Sequence, residues 1–409
     1  MSRYEWLTAP VGLDSGRWNT RSGCRSVLVA VHTLVTVHRL LDVLDLIEDD
    51  PRVQIMFTVA PDAFNHPVHR HLSDLGALVL PWEQATRLTF DLVIAAAHGG
   101  LSELHGPILM MAHGAGRGKY APARQRGGPV LARKTVYGLD SGRLTRDGRV
   151  LASKILLAHD AESDILIDQC PEAMGVAVVV GDPCYDRLVA SLPHRDRYRR
   201  AFGVGPGDRL IVVSSTWGAD GLFGNTVDLL PRLMEQLAGT RFRVGVVLHP
   251  AVWSAHGVRQ VRAWLRDCTE AGLRLVDPAH DWRAAVIAAD HVVGDHGSVT
   301  AYAAAVGRPV LCPVGVGVDR LRPGSAQSIV LGRSGRLDLS GGIVEQIRSA
   351  RPPDRDAVVR AITSRPGQAG TLIRRALYEV LRLDEPGRHR GPAPVPVQHS
   401  TWATARVAS

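Results

Sequence analysis

The sequence predicts an α/β protein made of two doubly wound domains, and three observations support this class. The chain has 409 residues, which is too long for one ordinary hydrophobic core and suggests two domains of roughly 150–200 residues. Short aliphatic runs alternate with longer amphipathic segments, the pattern of parallel strands covered by helices on both faces. The composition, 45% hydrophobic and 22% charged, is typical of a globular protein.

The first half of the chain contains a series of aliphatic runs that predict strands. Ser26–His32 opens the series, and leucine, valine and isoleucine at helical spacing in Val37–Asp49 predict the first covering helix. Strands separated by helix-length segments imply βαβ units and a parallel sheet. The predicted strands are Ser26–His32, Gln54–Pro61, Ala77–Trp82, Phe90–Ala97, Pro107–Gly114, Lys154–Asp160 and Val176–Pro183.

A second series of the same kind follows a basic stretch at His194–Arg200. Its predicted strands are Arg209–Thr216, Phe242–Pro250, Leu273–Pro278, His291–Gly297 and Pro309–Val314. The predicted helices are Thr226–Leu237, Ser254–Ala271, Trp282–Ala289, Val299–Val306 and Asp356–Leu383. The two halves share an architecture without sharing a sequence repeat.

These series set the expected domain boundaries. Residues 1–25 form an N-terminal extension, 26–190 the first domain and 191–383 the second. Residues 384–409 are interrupted by prolines and lack periodicity, so we expect a disordered tail. Two doubly wound domains that face each other across a cleft place the carboxyl ends of their strands around it, where ligands of open α/β sheets bind.

The net charge and the cysteine content indicate which partners and which cellular compartment to expect. The net charge of +8 favours anionic partners such as nucleotides, phosphopolymers or an acidic membrane face, and a weak peripheral membrane contact stays among these options. The sequence has no basic stripe interleaved with aromatic residues, so we do not expect it to bind nucleic acid. The five cysteines are scattered without a CxxC pair, and the N-terminus has no secretory pattern, so we expect a cytoplasmic protein without a structural zinc.

The most informative motif is the segment Asp290–Pro313, DHVVGDHGSVTAYAAAVGRPVLCP. A predicted strand ends in a tight turn, and a helix of small residues starts at once. The first amides of such a helix, with the positive end of its dipole behind them, are suited to phosphate. The predicted diphosphate contacts are Asp295, His296, Gly297, Ser298 and Thr300. The alternative is an ordinary N-cap by Ser298 or Asp295.

Two further strand ends carry candidate donor contacts. His249 lies at the carboxyl end of the predicted strand Phe242–Pro250, where its ring faces the same cleft and can donate to a diphosphate oxygen. Ser215 and Thr216 end the first strand of the second domain, where hydroxyls and amides can contact a nucleotide. A loop histidine and a capped turn are the respective structural alternatives.

The first domain carries a candidate catalytic base. His113 lies at the carboxyl end of the predicted strand Pro107–Gly114, and an imidazole can accept a hydroxyl proton near neutral pH. Gly114 permits close approach of a substrate, Lys119 adds positive charge, and His32 ends the first strand, so these residues are assigned to the acceptor side. The stretch is not a phosphate-binding P-loop, because histidine and tyrosine replace two required positions. A flexible surface loop is the alternative.

Four segments in the same order resemble a known family. MAHGAGRGKY, GDPCYDRL, VVLHP and ADHVVGDHGSVTAYAAAVGRPVL lie at predicted strand ends. Together they resemble the CDP-glycerol glycerophosphotransferases, a family of teichoic-acid synthases within the GT-B glycosyltransferase superfamily. The resemblance implies two Rossmann-type domains, His113 as the acceptor base, and donor-diphosphate contacts from His249 and Ser298.

The function expected from this resemblance is metal-independent transfer by single displacement. His113 deprotonates a hydroxyl acceptor, which attacks a nucleotide-diphosphate-activated donor, either CDP-glycerol-like or a nucleotide sugar. The donor is a substrate, so no cofactor is expected. Two alternatives stay open: a nucleotide-sugar epimerase or hydrolase of the same architecture, and a non-catalytic nucleotide-binding protein. The acceptor and the oligomeric state are not specified by the sequence.

Overall fold

The computed structural model describes residues 6–12, 15–17, 19–121, 134–314, 319–387 and 391–397. The strands are β1 (Arg25–Val31), β2 (Val53–Val59), β3 (Val79–Leu80), β4 (Leu92–Ala95), β5 (Ile108–Met111), β6 (Thr145–Arg146), β7 (Arg149–Val150), β8 (Lys154–Leu157), β9 (Ala177–Val179), β10 (Arg209–Ser215), β11 (Phe242–Leu248), β12 (Arg274–Leu275), β13 (His291–Gly294), β14 (Val310–Pro313) and β15 (Gly335–Leu337).

The α-helices lie mostly between these strands. They are α1 (Leu34–Leu44), α2 (Val68–Asp74), α3 (Trp82–Ala85), α4 (Ser141–Leu144), α5 (Asp160–Gln169), α6 (Pro183–Ser191), α7 (Arg195–Ala201), α8 (Leu222–Asn225), α9 (Leu229–Leu237), α10 (Pro250–His256), α11 (Val258–Trp264), α12 (Arg266–Glu270), α13 (Trp282–Ala288), α14 (Ser298–Ala305), α15 (Ala326–Arg333), α16 (Ile343–Ser349), α17 (Arg355–Ile362) and α18 (Ala369–Leu381). Within the described part of the chain, no helix is both long and apolar enough to cross a lipid bilayer.

Two parallel sheets confirm the predicted α/β class. The first has the strand order β3-β2-β1-β4-β5-β8-β9, and the second has the order β12-β11-β10-β13-β14-β15. In each, the chain runs outward from a central strand and then crosses to its other side, which is the doubly wound topology. The crossing points lie between β1 and β4 and between β10 and β13, so ligand-binding loops are expected at the carboxyl ends of those strands.

Each sheet is covered on both faces by apolar side chains. Val27, Val29 and Val31 of β1 join one core cluster, whereas Leu28 and Ala30 join another. Successive residues of a strand point to opposite faces, so a continuous aliphatic run is what a doubly covered sheet requires. β10 repeats the pattern, with Ile211 and Val213 in one cluster and Val212 between them also fully buried.

The chain divides into two compact units whose boundaries differ from the sequence-based domains. The first unit comprises residues 1–186 and 363–392, and the second comprises 187–362 and 393–409. The sequence analysis placed residues up to 383 in the second domain. The difference arises from α18, because Ile373, Leu377 and Leu381 pack into the core cluster of the first unit beside α1.

The N-terminus of α18 is held by a carboxylate of the first unit. Asp186 accepts hydrogen bonds from the backbone N–H groups of Gly367 and Ala369 at 2.7 and 3.0 Å. Burial raises the pKa of Asp186 to about 6. The predicted single helix Asp356–Leu383 is therefore two helices, α17 and α18, separated by a turn in which Gly367 has a φ of +76°.

A glycine also divides the predicted helix Ser254–Ala271. Gly257 has a φ of +79°, a conformation that breaks a helix and that L-residues rarely adopt, and it separates α10 from α11. The hairpin of β6 and β7 and the edge strand β15 were not predicted, because they are too short for a hydrophobic period.

Part of the segment expected to be a disordered tail is ordered. Val395 is buried, its N–H donates to the hydroxyl of Ser191 at 2.9 Å, and its carbonyl accepts from the hydroxyl of Tyr198 at 2.6 Å. The prediction was wrong for residues 391–397, because proline spacing reveals no tertiary partner. Residues 388–390 and 398–409 lie outside the described part of the chain.

We expect Tyr198→Phe to lower the free energy of unfolding by about 1–3 kcal/mol, because it leaves the buried carbonyl of Val395 without its donor. Urea denaturation measures this difference. Tyr137→Phe, at a residue 40% exposed, serves as the control with an effect below about 0.5 kcal/mol. Equal stability of Tyr198→Phe and the wild type would show that the segment is not anchored in this way.

Candidate functional site

In the second unit, a buried carboxylate organises the loops at the ends of β10 and β13. One oxygen of Asp295 accepts the backbone N–H groups of Thr216 and Leu222, both at 2.8 Å, and the other accepts that of Gly297 at 2.9 Å. Asp295 is only 1% exposed. Both carboxylate oxygens are thus engaged by backbone amides, and Asp295 positions the two loops rather than facing a ligand.

The residues beside Asp295 build the same support. The hydroxyl of Ser215 accepts the N–H of Phe223 and donates to the carbonyl of Thr216, both at 2.8 Å, so Ser215 fixes the start of α8. His296 is 5% exposed, with Nε2 3.3 Å from the carbonyl oxygen of Asp220. Ser215 and His296 were predicted to contact the nucleotide, but both are buried beneath the loops.

The start of α14 is the part of the motif suited to an anion. Gly297 is its N-cap residue and has no side chain to cap the helix, and Ser298 is the first helical residue. Thr300 is 1% exposed and packs against Gly294 of β13, so its hydroxyl faces the sheet. Of the predicted nucleotide and diphosphate contacts, Gly297 and Ser298 are partly exposed at the start of α14, whereas Asp295, Thr300 and Ser215 are buried and support the loops.

His249 is held in a defined proton state. It is the N-cap residue of α10, and its Nδ1 accepts the N–H of Ala251 at 3.1 Å. A neutral imidazole that accepts at Nδ1 carries its proton at Nε2 and can donate from there. The N–H of His249 donates to the carbonyl of Ser215 at 3.0 Å, which fixes the residue beside the loop after β10.

In the first unit, His113 has the opposite proton arrangement. Its Nδ1 lies 2.8 Å from the carbonyl oxygen of Ala96, which can only accept, so Nδ1 carries the proton and Nε2 holds a lone pair. Desolvation lowers the pKa of His113, and the guanidinium groups of Arg39 and Arg117 lower it further. More than a third of the surface of His113 is exposed to solvent, so a substrate can reach it. An unprotonated Nε2 at neutral pH is the requirement for a general base.

The acceptor-side residues differ in accessibility. His32 is 1% exposed and its Nε2 donates to the carbonyl of Gly99 at 2.7 Å, so it supports the loop after β4 from below. Burial lowers the pKa of His32. Gly114 is partly exposed, and Lys119, also partly exposed, accepts the N–H of Tyr137 through its carbonyl at 2.9 Å.

Two buried side chains that the sequence analysis did not identify hold the loop after β5. Arg39 of α1 donates to the carbonyl of Gly114 at 3.1 Å and pairs with Asp182 at 3.4 Å. Glu162 of α5 accepts the N–H groups of Arg117 and Ala158. A charged residue on a helix is usually exposed to solvent, so the burial of Arg39 and Glu162 is what reveals their role.

No group of three or more histidine, cysteine, aspartate or glutamate side chains is arranged to hold a metal ion within the ranges the structure describes.

Comparisons with known proteins identify the fold. No family model matches the sequence, and no curated protein matches it. Among solved structures, a histidine variant of the wall teichoic acid polymerase TagF soaked with CDPG aligns with a TM-score of 0.61 at 12% identity, over 88% of this chain and 89% of that chain. The UDP-GlcNAc 2-epimerase from Methanocaldococcus jannaschii aligns with a TM-score of 0.53 at 12% identity, over 87% and 99%.

A third similar structure is the UDP-GlcNAc 2-epimerase from Neisseria meningitidis bound to UDP-GlcNAc, with a TM-score of 0.50 at 13% identity over 87% of this chain and 99% of that chain. At these identities the similarity concerns the fold. The chain has the GT-B-like fold of two Rossmann-type domains, which confirms the predicted fold class.

We expect Asp295→Asn to lower the free energy of unfolding by about 2–3 kcal/mol, because an amide nitrogen replaces one of two oxygens that accept backbone N–H groups. Denaturant titration followed by circular dichroism measures this loss. Asp220→Asn changes an exposed carboxylate in the adjacent loop and is the matched control. A loss no larger than the control would contradict the positioning role.

Proposed function

We propose that the protein is a transferase that uses a nucleotide-diphosphate-activated donor and a hydroxyl acceptor. The observation that carries this proposal is the complementary state of two imidazoles: His113 holds a lone pair at Nε2, whereas His249 holds a proton there. One can take a proton from an acceptor, and the other can donate to an anionic leaving group. Both follow the carboxyl ends of parallel strands in doubly wound sheets.

The start of α14 and the similar structures support a nucleotide-diphosphate donor. The N-terminus of an eight-residue helix, capped by a glycine, is suited to a diphosphate. A structure of TagF was soaked with CDPG, and an epimerase of the same fold is bound to UDP-GlcNAc. The sequence segments around His113, His249 and Ser298 favour the CDP-glycerol type of donor.

The proposed reaction is a single displacement. His113 Nε2 accepts the proton of the acceptor hydroxyl. At the same time, the oxygen of that hydroxyl attacks the phosphorus that carries the glycerol. The pyrophosphate P–O bond breaks, and cytidine monophosphate leaves with the electron pair. The α14 amides and His249 stabilise the negative charge of the leaving phosphate. With a nucleotide sugar as donor, the attack is at the anomeric carbon and the nucleoside diphosphate leaves.

A nucleotide-sugar epimerase is the second candidate, because two similar structures are UDP-GlcNAc 2-epimerases. The two functions differ in their products. Incubation with CDP-glycerol and an acceptor releases cytidine monophosphate if the protein is the proposed transferase. Incubation with UDP-GlcNAc alone yields an isomer if it is an epimerase, and nucleotide binding without either product identifies a non-catalytic binding protein.

We expect His113→Asn to reduce kcat at least about 100-fold while the nucleotide Kd changes less than about threefold, because the variant removes a base and no donor contact. The lowered pKa of His113 keeps the base unprotonated, so wild-type kcat/KM should stay high down to pH values below the ordinary histidine pKa of 6.5. Nucleotide release, measured at a series of pH values, gives the kcat of the variant and the pH profile of the wild type. An acidic limb at or above 6.5 would contradict the assignment of His113 as the base.

We expect His249→Asn to weaken nucleotide binding about tenfold without loss of stability. Asparagine is a good N-cap residue and preserves the cap of α10, but it removes the Nε2 donor. Calorimetry with cytidine and uridine diphosphates measures the affinity, and thermal unfolding checks the cap. His194→Asn, at an exposed histidine elsewhere in the second unit, controls for the general effect of losing an imidazole.

A further inference from the structure

An arginine cluster lies at the amino ends of neighbouring strands in the second sheet. β11, β10, β13 and β14 are adjacent in that order and run parallel, so their first residues share one edge. Helix α7 reaches the same edge, since two of its side chains donate to Asp290 directly before β13. The cluster consists of Arg195 and Arg199 of α7, Arg209 at the start of β10, Arg241 and Arg243 around the start of β11, and Arg308 before β14.

Asp290 meets part of this positive charge. It accepts hydrogen bonds from Arg195 at 2.8 Å and Arg199 at 2.7 Å, and the guanidinium of Arg209 lies 3.8 Å away. The side chain of Asp290 is only 10% exposed, whereas those of Arg195 and Arg209 are 30% and 63% exposed. The carboxylate is therefore covered by its partners, and guanidinium groups face the solvent.

Asp208 is covered in the same way on the β11 side. Its carboxylate lies 3.9 Å from Arg241 and 3.3 Å from Arg243, and its carbonyl accepts from Arg199 at 2.9 Å. Within the described part of the chain, Asp208 and Asp290 are the carboxylates that pair with the cluster, so its six guanidinium groups keep a formal excess of four positive charges. Like charges this close repel one another, so an external anion would stabilise the cluster.

Arg308 shows the shortage of acceptors most directly. Its Nη1 donates to the carbonyl of Ala289 at 3.3 Å, but its Nε is buried and meets no acceptor among the residues that the structure describes. Burial and the charges of Arg195 and Arg199 lower the pKa of Arg308 to about 10. Both observations indicate a cation for which the surrounding protein supplies too little negative charge.

Helix capping explains only part of the cluster. Arg195 donates to the carbonyls of Ile287, Ala288 and Ala289 at the end of α13, where the helix dipole favours a cation. The end of a helix carries only about half a negative charge. Capping therefore accounts for the position of Arg195, and it leaves most of the excess charge unbalanced.

We propose that the arginine cluster binds a phosphate-bearing anion, with Arg195, Arg209 and Arg308 as its contacts. Guanidinium groups match the oxygen atoms of phosphate and can donate two parallel hydrogen bonds to them. The phosphate group can belong to a free anion or to the headgroup of an anionic lipid, because both present the same oxygen atoms.

This site is separate from the candidate diphosphate site. β10 runs from Arg209 to Ser215, and its seven residues span roughly 20 Å. The start of α14 follows the carboxyl end of β13, whereas the arginine cluster lies at the amino ends of the strands. An anion bound by the cluster is therefore additional to the donor, and its binding does not depend on the proposed function.

Chemical modification tests the site at the level of single residues. Phenylglyoxal reacts with accessible guanidinium groups, and mass spectrometry identifies the modified arginines. Inorganic pyrophosphate should slow modification of Arg195 and Arg209 at least about fivefold, because a bound anion occupies their donors. Modification of Arg259, an exposed residue of α11, should continue at an unchanged rate.

Arg209→Gln removes one contact at an exposed position. In this variant, about tenfold more pyrophosphate should be needed to protect Arg195, because a charge-assisted hydrogen bond is lost. Arg259→Gln removes the same charge from α11 and should keep wild-type protection. Protection of Arg195 should also be unchanged in His249→Asn, and its loss there would place the anion at the donor site and overturn the inference.

Lipid vesicles distinguish the two sources of the phosphate group. Protection by pyrophosphate and not by phosphatidylglycerol vesicles assigns a free anion. Protection by phosphatidylglycerol vesicles and not by phosphatidylcholine vesicles assigns an anionic headgroup. If neither pyrophosphate nor phosphatidylglycerol protects Arg195 and Arg209 of the wild type, the cluster binds no phosphate group and the inference is wrong, while the proposed function is unaffected.

Discussion

The carboxylate of Asp295 is the interaction on which the candidate donor site depends. Three backbone N–H groups from two separate loops converge on it, and the residue is almost fully buried. A buried carboxylate is stable only when its charge is met by donors, and these amides meet it. The same bonds fix Thr216, the start of α8 and the start of α14 relative to one another, so one side chain sets the shape of the candidate anion site.

The two imidazoles illustrate how backbone groups set chemistry. A carbonyl oxygen can only accept a hydrogen bond and an amide N–H can only donate, so the partner of Nδ1 decides where each ring carries its proton. His113 faces the carbonyl of Ala96, and His249 faces the N–H of Ala251. Identical side chains at comparable strand ends therefore have opposite hydrogen-bonding capacities, which suits one to proton removal and the other to stabilising an anion.

The sequence predicted the central strands well, because aliphatic runs such as that of β1 report burial on both faces. It also placed His113, His249 and Gly297 at strand ends, where they are found. It did not separate ligand-facing residues from supporting ones. Asp295 and Thr216 are 79 positions apart, and Asp186 and Gly367 are 181 apart, so such contacts leave no local periodicity. Short elements such as β15 are likewise decided by tertiary packing.

The discontinuity of the first unit has a consequence for biosynthesis. Residues 1–186 leave the ribosome before the whole of the second unit, yet their hydrophobic core is closed by α18 near the end of the chain. At about 5–20 residues per second, roughly 10–40 s pass between synthesis of Asp186 and of Leu381. During that interval, the apolar face of α1 that α18 covers is open to chaperones, and the core of the first-made unit closes only after most of the second unit has been made.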